Sequence, residues 1–256
     1  MDAHESLEPG LFSPDPHQAR LQTMIAAQGR VEAKLMLRHG EQLLLNLLIP
    51  AALLVAAAIV PVFGEADLNV IVPMVFAVAA SSAGFTGQAI ALAFDRRYGA
   101  LKRVGASGVP PRAIIAGKIL GVFAMVLVQI VILGSLAVVL GWRISLIGAV
   151  AGVTALFAGV AVFTALGLLV GGTLAPEVVL ALANLLWVVM MAVLGWVAWS
   201  GQITNAGWWN AVPTVALAGA LTEALHGGWS GYAWLSLAVW AAAGVGASAR
   251  WFRFDA

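Results

Sequence analysis

Residues 119–140 read ILGVFAMVLVQIVILGSLAVVL, a run without a single Asp, Glu, Lys or Arg. At 1.5 Å per residue, about 20 such residues cross the ~30 Å of hydrocarbon in a bilayer. Five more stretches pass the same test: Leu43–Phe63, Val70–Phe94, Leu146–Val170, Val178–Trp199 and Tyr232–Ala249. Every charge in the chain falls in a tail or a connection. The composition agrees, with 62% of the 256 residues apolar, 10% charged and a mean hydropathy of +0.97. Soluble domains carry ~25% charged residues, so an ordinary cytosolic enzyme is excluded. The fold expected is an all-α integral membrane protein with six transmembrane helices.

Orientation follows from the basic residues. With the N-terminus inside, the cytoplasmic set is Arg20, Arg30, Lys34 and Arg38, then Arg96, Arg97, Lys102, Arg103, Arg112 and Lys118, then Arg250 and Arg253; Arg143 alone lies outside. Both termini are therefore expected in the cytoplasm. Trp142, Trp199, Trp208, Trp209, Trp229 and Trp234 then gather at the outer interface, as aromatic belts do. A net charge of +1 leaves no electrostatic footprint for nucleic acid, and without cysteines there is no disulfide or thiol nucleophile.

Residues 1–20, with four acids and three prolines, read as a disordered cytoplasmic tail rather than a secretory signal. In residues 21–42, Leu21, Met24, Ile25, Val31 and Leu35 recur at helical spacing, and Arg30, Lys34 and Arg38 line another face. This predicts an amphipathic helix in the inner headgroup region, its basic stripe toward lipid phosphates or a protein. A plain positive-inside anchor explains the charges equally well, but not the apolar face. Residues 43–249 form the membrane domain and 250–256 a cytoplasmic end.

Two connections are long. Asp95–Lys118 reads DRRYGALKRVGASGVPPRAIIAGK, with six basic residues and one acid. Gly105, Ser107 and Gly108 break any helix, and Pro110–Pro111 can open the next, since proline is tolerated in a first turn. A short surface helix between two spans is expected; a solvated basic loop that only fixes topology is the alternative. In Ser200–Gly231, the stretch Val215 to Leu225 is apolar yet too short to span, and Glu223 and His226 interrupt it. Helices at that depth need protein or water around their ends.

The run from Phe94–Asp95–Arg96–Arg97–Tyr98–Gly99–Ala100–Leu101–Lys102–Arg103 through Pro110–Pro111 to Gly117–Lys118–Ile119–Leu120 closely resembles the signature of ABC-2-type export permeases, most of all the daunorubicin-resistance type of drug exporter. Ala100 stands where that family commonly has Thr, and Asp95–Arg96–Arg97 where Glu-Arg-Glu is frequent. Val212–Pro213–Thr214, Leu217, Gly219–Ala220–Leu221 and Leu225 are similar to the family's stretch before the last span, which forms short re-entrant helices capping the outer end of the pathway; a surface helix in an outer loop is the alternative.

The resemblance implies a bacterial plasma-membrane permease without cofactors of its own, exporting a lipophilic drug or lipid. ATP and Mg would sit on separate ABC ATPase subunits. Those subunits would grip the short helix carrying Arg96, Arg97, Tyr98, Gly99, Leu101, Lys102 and Arg103, with a second, smaller contact between Thr173 and Glu177. A second permease copy, identical or homologous, would complete the pathway. The residues concur on the missing motor: Gly117–Lys118 lacks the glycine five positions before Gly117 that a P-loop requires, that position being Arg112. Gly117–Gly121, Gly148–Gly152 and Gly167–Gly171 permit close helix contacts.

Polar residues within the spans are few: Asn46, Gln88, Gln129, Thr154, Thr164 and Asn184. Gln88, Gln129 and Asn184 either face the substrate path or bond neighbouring helices. An ion-coupled transporter would place carboxylates or histidines in the bilayer, and the six spans hold none. His4, His17, His39 and His226 build no intramembrane metal or Ser–His set, Ser81–Ser82 has no basic partner, and Glu223 with His226 reads as a surface pair. A passive channel, or a non-transporting scaffold or immunity protein, stays open beside the permease.

Overall fold

The computed structural model describes residues 19–38, 40–59 and 67–251. Most of the expected N-terminal tail, the end of the first expected span, its outer turn and the last residues of the chain lie outside the described residues, as do His4, His17, His39 and Arg253.

Every element among the described residues is helical. They are α1 (Leu21–Arg38), α2 (Gly40–Ile59), α3 (Leu68–Ser81), a π turn (Ser82–Thr86), α4 (Gly87–Arg97), α5 (Ala100–Ala106), α6 (Pro111–Val139), α7 (Leu146–Thr173), α8 (Pro176–Trp199), a 3₁₀ turn (Gly207–Ala211), α9 (Pro213–Leu225) and α10 (Gly231–Trp251). Four helices are long and apolar enough to cross a membrane: Leu68–Arg97, taken through its π turn, Pro111–Val139, Leu146–Thr173 and Pro176–Trp199. The other two expected spans correspond to α2 and α10, which are not among the four.

Starts and stops follow local chemistry. Asp67 caps α3, its Oδ1 accepting from Asn69 N–H at 2.8 Å, and Ser145 caps α7 by accepting from Gly148 N–H at 3.0 Å. Prolines 111, 176 and 213 open α6, α8 and α9 in the first turn.

The centre consists of α3, α4, α7 and α9. α9, from Thr214 to Thr222, is buried at every position, so a surface helix in an outer loop is ruled out. Thr214 Oγ1 donates to the Met190 carbonyl at 3.1 Å, tying its start to α8. Trp142, expected in an outer belt, is only 8% exposed and belongs to the core, whereas Trp199, Trp208 and Trp229 are exposed. α8 lies at the periphery: only 17% of its apolar window is buried, against 72% for Leu68–Arg97. Its outward side carries Leu185, Val188, Val189 and Trp196. So wide an apolar surface suits lipid or another protein, not water.

Where the sequence suggests one regular second span, the helix widens. Gly87 N–H bonds to the Ser82 carbonyl, five residues back, making the π turn. It is pressed against α7: a Cβ on Gly84 would lie 3.0 Å from Phe163 Cβ, and one on Gly167 would lie 2.5 Å from the Phe85 carbonyl oxygen.

Candidate functional site

The connection between α4 and α6 has the expected order of a helix leaving the bundle, a short helix and a helix returning, but the short helix starts only at Ala100: Arg96 and Arg97, expected on it, are the last residues of α4. Tyr98 ends α4, its N–H bonding to the Phe94 carbonyl at 2.9 Å, and Gly99 N–H bonds to the Arg96 carbonyl at 3.0 Å. Gly99 has φ +68°, a left-handed conformation that costs glycine little, and this reverses the chain into α5. Gly108 (φ +82°) makes the exit turn.

α5 has two sides. Leu101 is 3% exposed and packs with Leu92, Ile114, Ile115 and Leu168, seating the helix on α4, α6 and α7. Lys102 and Arg103 are exposed, and Arg103 Nη1 donates to the Tyr98 carbonyl at 3.3 Å. Tyr98 is 69% exposed and stacks on Phe94. Of the seven loop residues singled out, Leu101 and Arg96 therefore anchor the loop inward and Gly99 shapes it, while Arg97, Tyr98, Lys102 and Arg103 face outward.

Arg96 is 5% exposed, and its Nη1 donates to the carbonyls of Gly171 (2.9 Å) and Leu174 (3.0 Å). A cation on the unsatisfied carbonyls at a helix C-terminus satisfies them and complements the helix dipole, here that of α7. Arg97 pairs with Glu177, which sits in the first turn of α8 where a carboxylate is favoured. Two regions separated by 75 to 80 residues in the sequence are thus joined. Thr173 contributes less, because its hydroxyl turns back to the Leu169 carbonyl at 2.7 Å.

The third member of the triplet, Asp95, accepts from Lys118 Nζ at 3.1 Å, and Glu32 of α1 lies 2.9 Å from the same nitrogen. Lys118 is 2% exposed. In the sequence Lys118 stands out as a cytoplasmic charge and in the Gly117–Lys118 step, but nothing there links it to Glu32. The available signal was an acid isolated in each of two basic segments. α1 lies along α6. It packs on α6 through Gln28, Gly29 and Glu32, beside Gly117 and Gly121, while Val31 and Leu35, expected on its apolar face, are about half exposed.

The three in-span candidates are not brought together. Gln129 is 1% exposed and donates to the Asn46 carbonyl at 3.2 Å, while Ser82 Oγ lies 3.4 Å from Asn46 Oδ1, so this group bonds helices to one another. Gln88 is 3% exposed, with its amide on Met36 Sδ at 3.8 Å and its Oε1 without a partner among the described residues. Asn184 sits on the exposed side of α8 and donates to the Leu180 carbonyl at 2.7 Å. His226 Nδ1 lies 2.6 Å from the Thr222 carbonyl oxygen.

None of the three lines the cavity of about 490 Å³ found between α2, α3 and α8. Its walls are Leu53, Met74, Trp187, Met191 and neighbouring apolar side chains, with Asp67 and Thr204 the polar exceptions. A cavity of this size and character can take a lipophilic molecule. Trp187 and the methionines were not distinguishable in sequence from ordinary apolar span residues.

No curated protein and no solved structure matches the chain. A family model does match, that of the ABC-2 type transporter, over residues 25–227. The match takes in the α4–α6 connection, the α7–α8 turn and the buried α9, and covers more than half of the chain. This multi-pass membrane protein belongs to the ABC-2 type transporter family.

Proposed function

We propose that the chain is the membrane-spanning permease of an ATP-binding-cassette exporter, moving a lipophilic, drug- or lipid-like substrate out of the cell. It would lie in the bacterial plasma membrane with six spans, counting α2 and α10, and both termini inside. The 3₁₀ turn and α9 are the re-entrant cap. ATP and Mg are held by separate ATPase subunits, and a second permease copy, identical or homologous, completes the pathway.

The observation that carries this reading is the joining of two distant segments into one surface: Arg96 to Gly171 and Leu174, and Arg97 to Glu177. A motor pushing on α5 meets Lys102 and Arg103 first, and Leu101 and Arg96 pass the load into α4, α6 and α7. A ligand-driven change needs contacts that differ between two states, and a rigid, charged protrusion supplies them. The apolar cavity supports the substrate class.

The test is to purify the tagged chain in mild detergent and assay ATPase activity on what accompanies it. A P-loop ATPase is expected, with recovery falling at least tenfold for Lys102→Glu/Arg103→Glu. A chain that carries no ATPase would turn the assignment toward a passive channel or a scaffold.

A further inference from the structure

Lys118 stands outside the surface just described, yet no other lysine among the described residues is as deeply buried. Its ammonium has three donors and no acceptor, so one nitrogen can serve two carboxylates. Those carboxylates belong to different elements: Glu32 to α1 and Asp95 to the last turns of α4. Gln28 Nε2 donates to Glu32 Oε1 at 2.9 Å and holds that carboxylate in place. α1 reaches Lys118 only because the seam is glycine on both sides. A Cβ on Gly117 would lie 2.4 Å from Gln28 Cγ, one on Gly121 2.6 Å from Glu32 Cβ, and one on Gly29 2.9 Å from Leu120 Cβ.

We propose that Lys118 is a positioning residue that pins α1 and the α4–α5 connection to α6, so that the leader helix and the motor-facing loop move as one body. A buried ion pair that loses one partner leaves an uncompensated charge, which is strongly destabilising, so the two elements stay on α6 together. Asp95 directly precedes Arg96 and Arg97. Three consecutive residues therefore tie the end of α4 to α1 and α6 through Lys118, to α7, and to α8. That the pinned body carries force from an ATPase rests on the proposed function; that it is pinned does not.

The experiment uses the full chain, alone and with its ATPase. Lys118→Met is expected to lower the thermal midpoint by about 5–10 °C. Combining it with Glu32→Gln and Asp95→Asn should restore much of that loss, chiefly because Glu32, 13% exposed, is then no longer a buried unpaired charge, Asp95 being 41% exposed. Losses that simply add would overturn the pin. The sequence has no cysteine, so Ala27→Cys on α1 and Ala106→Cys on α5, both exposed, give a unique spin-label pair. The parent chain should show one narrow distance, unchanged by ATPase and ATP. The folded triple-neutral variant should show a broadened one. A parent distance that changes with ATP, or a triple-neutral distance that stays narrow, would refute the proposal. If no ATPase accompanies the chain, the proposed function fails, while the nucleotide-free comparison of widths still decides the pin.

Discussion

Gln88 separates the two readings open to a polar residue in a span. A polar side chain in a span either faces a pathway or bonds a neighbour, and Gln88 does little of the second. Its amide reaches only a thioether, a weak acceptor, and its Oε1 has no partner among the described residues. A buried amide so poorly satisfied costs stability, of order 1–3 kcal/mol. Replacing it with a similarly sized apolar residue removes that cost. Gln88→Leu should therefore raise the thermal midpoint in detergent or leave it unchanged. If transport of a lipophilic probe then falls while stability holds, the polar group is retained for function. A lowered midpoint would instead make Gln88 a structural bond. Gln129 is the contrast: its bond to the Asn46 carbonyl joins α6 to α2, so Gln129→Leu should lower the midpoint.

At the scale of elements, the seam between α4 and α7 depends on glycine more than on any polar contact. A Cβ on Gly171 would lie 2.3 Å from the Ala89 carbonyl oxygen. Both partners there are backbone, so no side chain can swing aside. In a free helix, Gly→Ala gains about 0.5–1 kcal/mol from propensity. Overpacking costs about 1–3 kcal/mol, so at Gly171 the clash wins. Gly171→Ala should lower the thermal midpoint, whereas Gly134→Ala, with nothing within 4 Å of the new Cβ, should leave it level or slightly raised. Equal responses at the two sites would disprove the close seam. The Gly167–Gly171 spacing was visible in sequence but not distinctive among 28 glycines. Only the facing backbone gives it meaning. The α5 helix was legible because Gly99, Gly108 and Pro111 punctuate it locally. The π turn was not, because Ser82–Thr86 carries no residue that forbids an ordinary helix; contact with α7 accompanies the widening. α9 was legible as a non-spanning apolar helix, but its central burial arises from α3, α7 and α10 closing around it.

For the whole molecule, the arrangement of charge is what connects the structure to a side of the membrane. Lys102 and Arg103 are exposed on α5, and the expected topology puts the α4–α6 connection in the cytoplasm, with residues 201–211 outside. That expectation is electrostatic: with the N-terminus inside and six spans, twelve Lys and Arg would fall on one side and only Arg143 on the other. Because the chain has no cysteine, single substitutions report sidedness directly. Ala106→Cys and Asn205→Cys are both at exposed positions and at opposite ends of this arrangement. In intact cells a membrane-impermeant maleimide should label Asn205→Cys and spare Ala106→Cys; after permeabilisation both should react. The reverse pattern would do more than invert a drawing. It would put Lys102 and Arg103 beyond the reach of any cytosolic ATPase, so the proposed motor contact on the outward-facing Arg97, Lys102, Arg103 and Glu177 would have no motor to meet. Labelling thus bears on the proposed function through geometry alone, before any substrate is known.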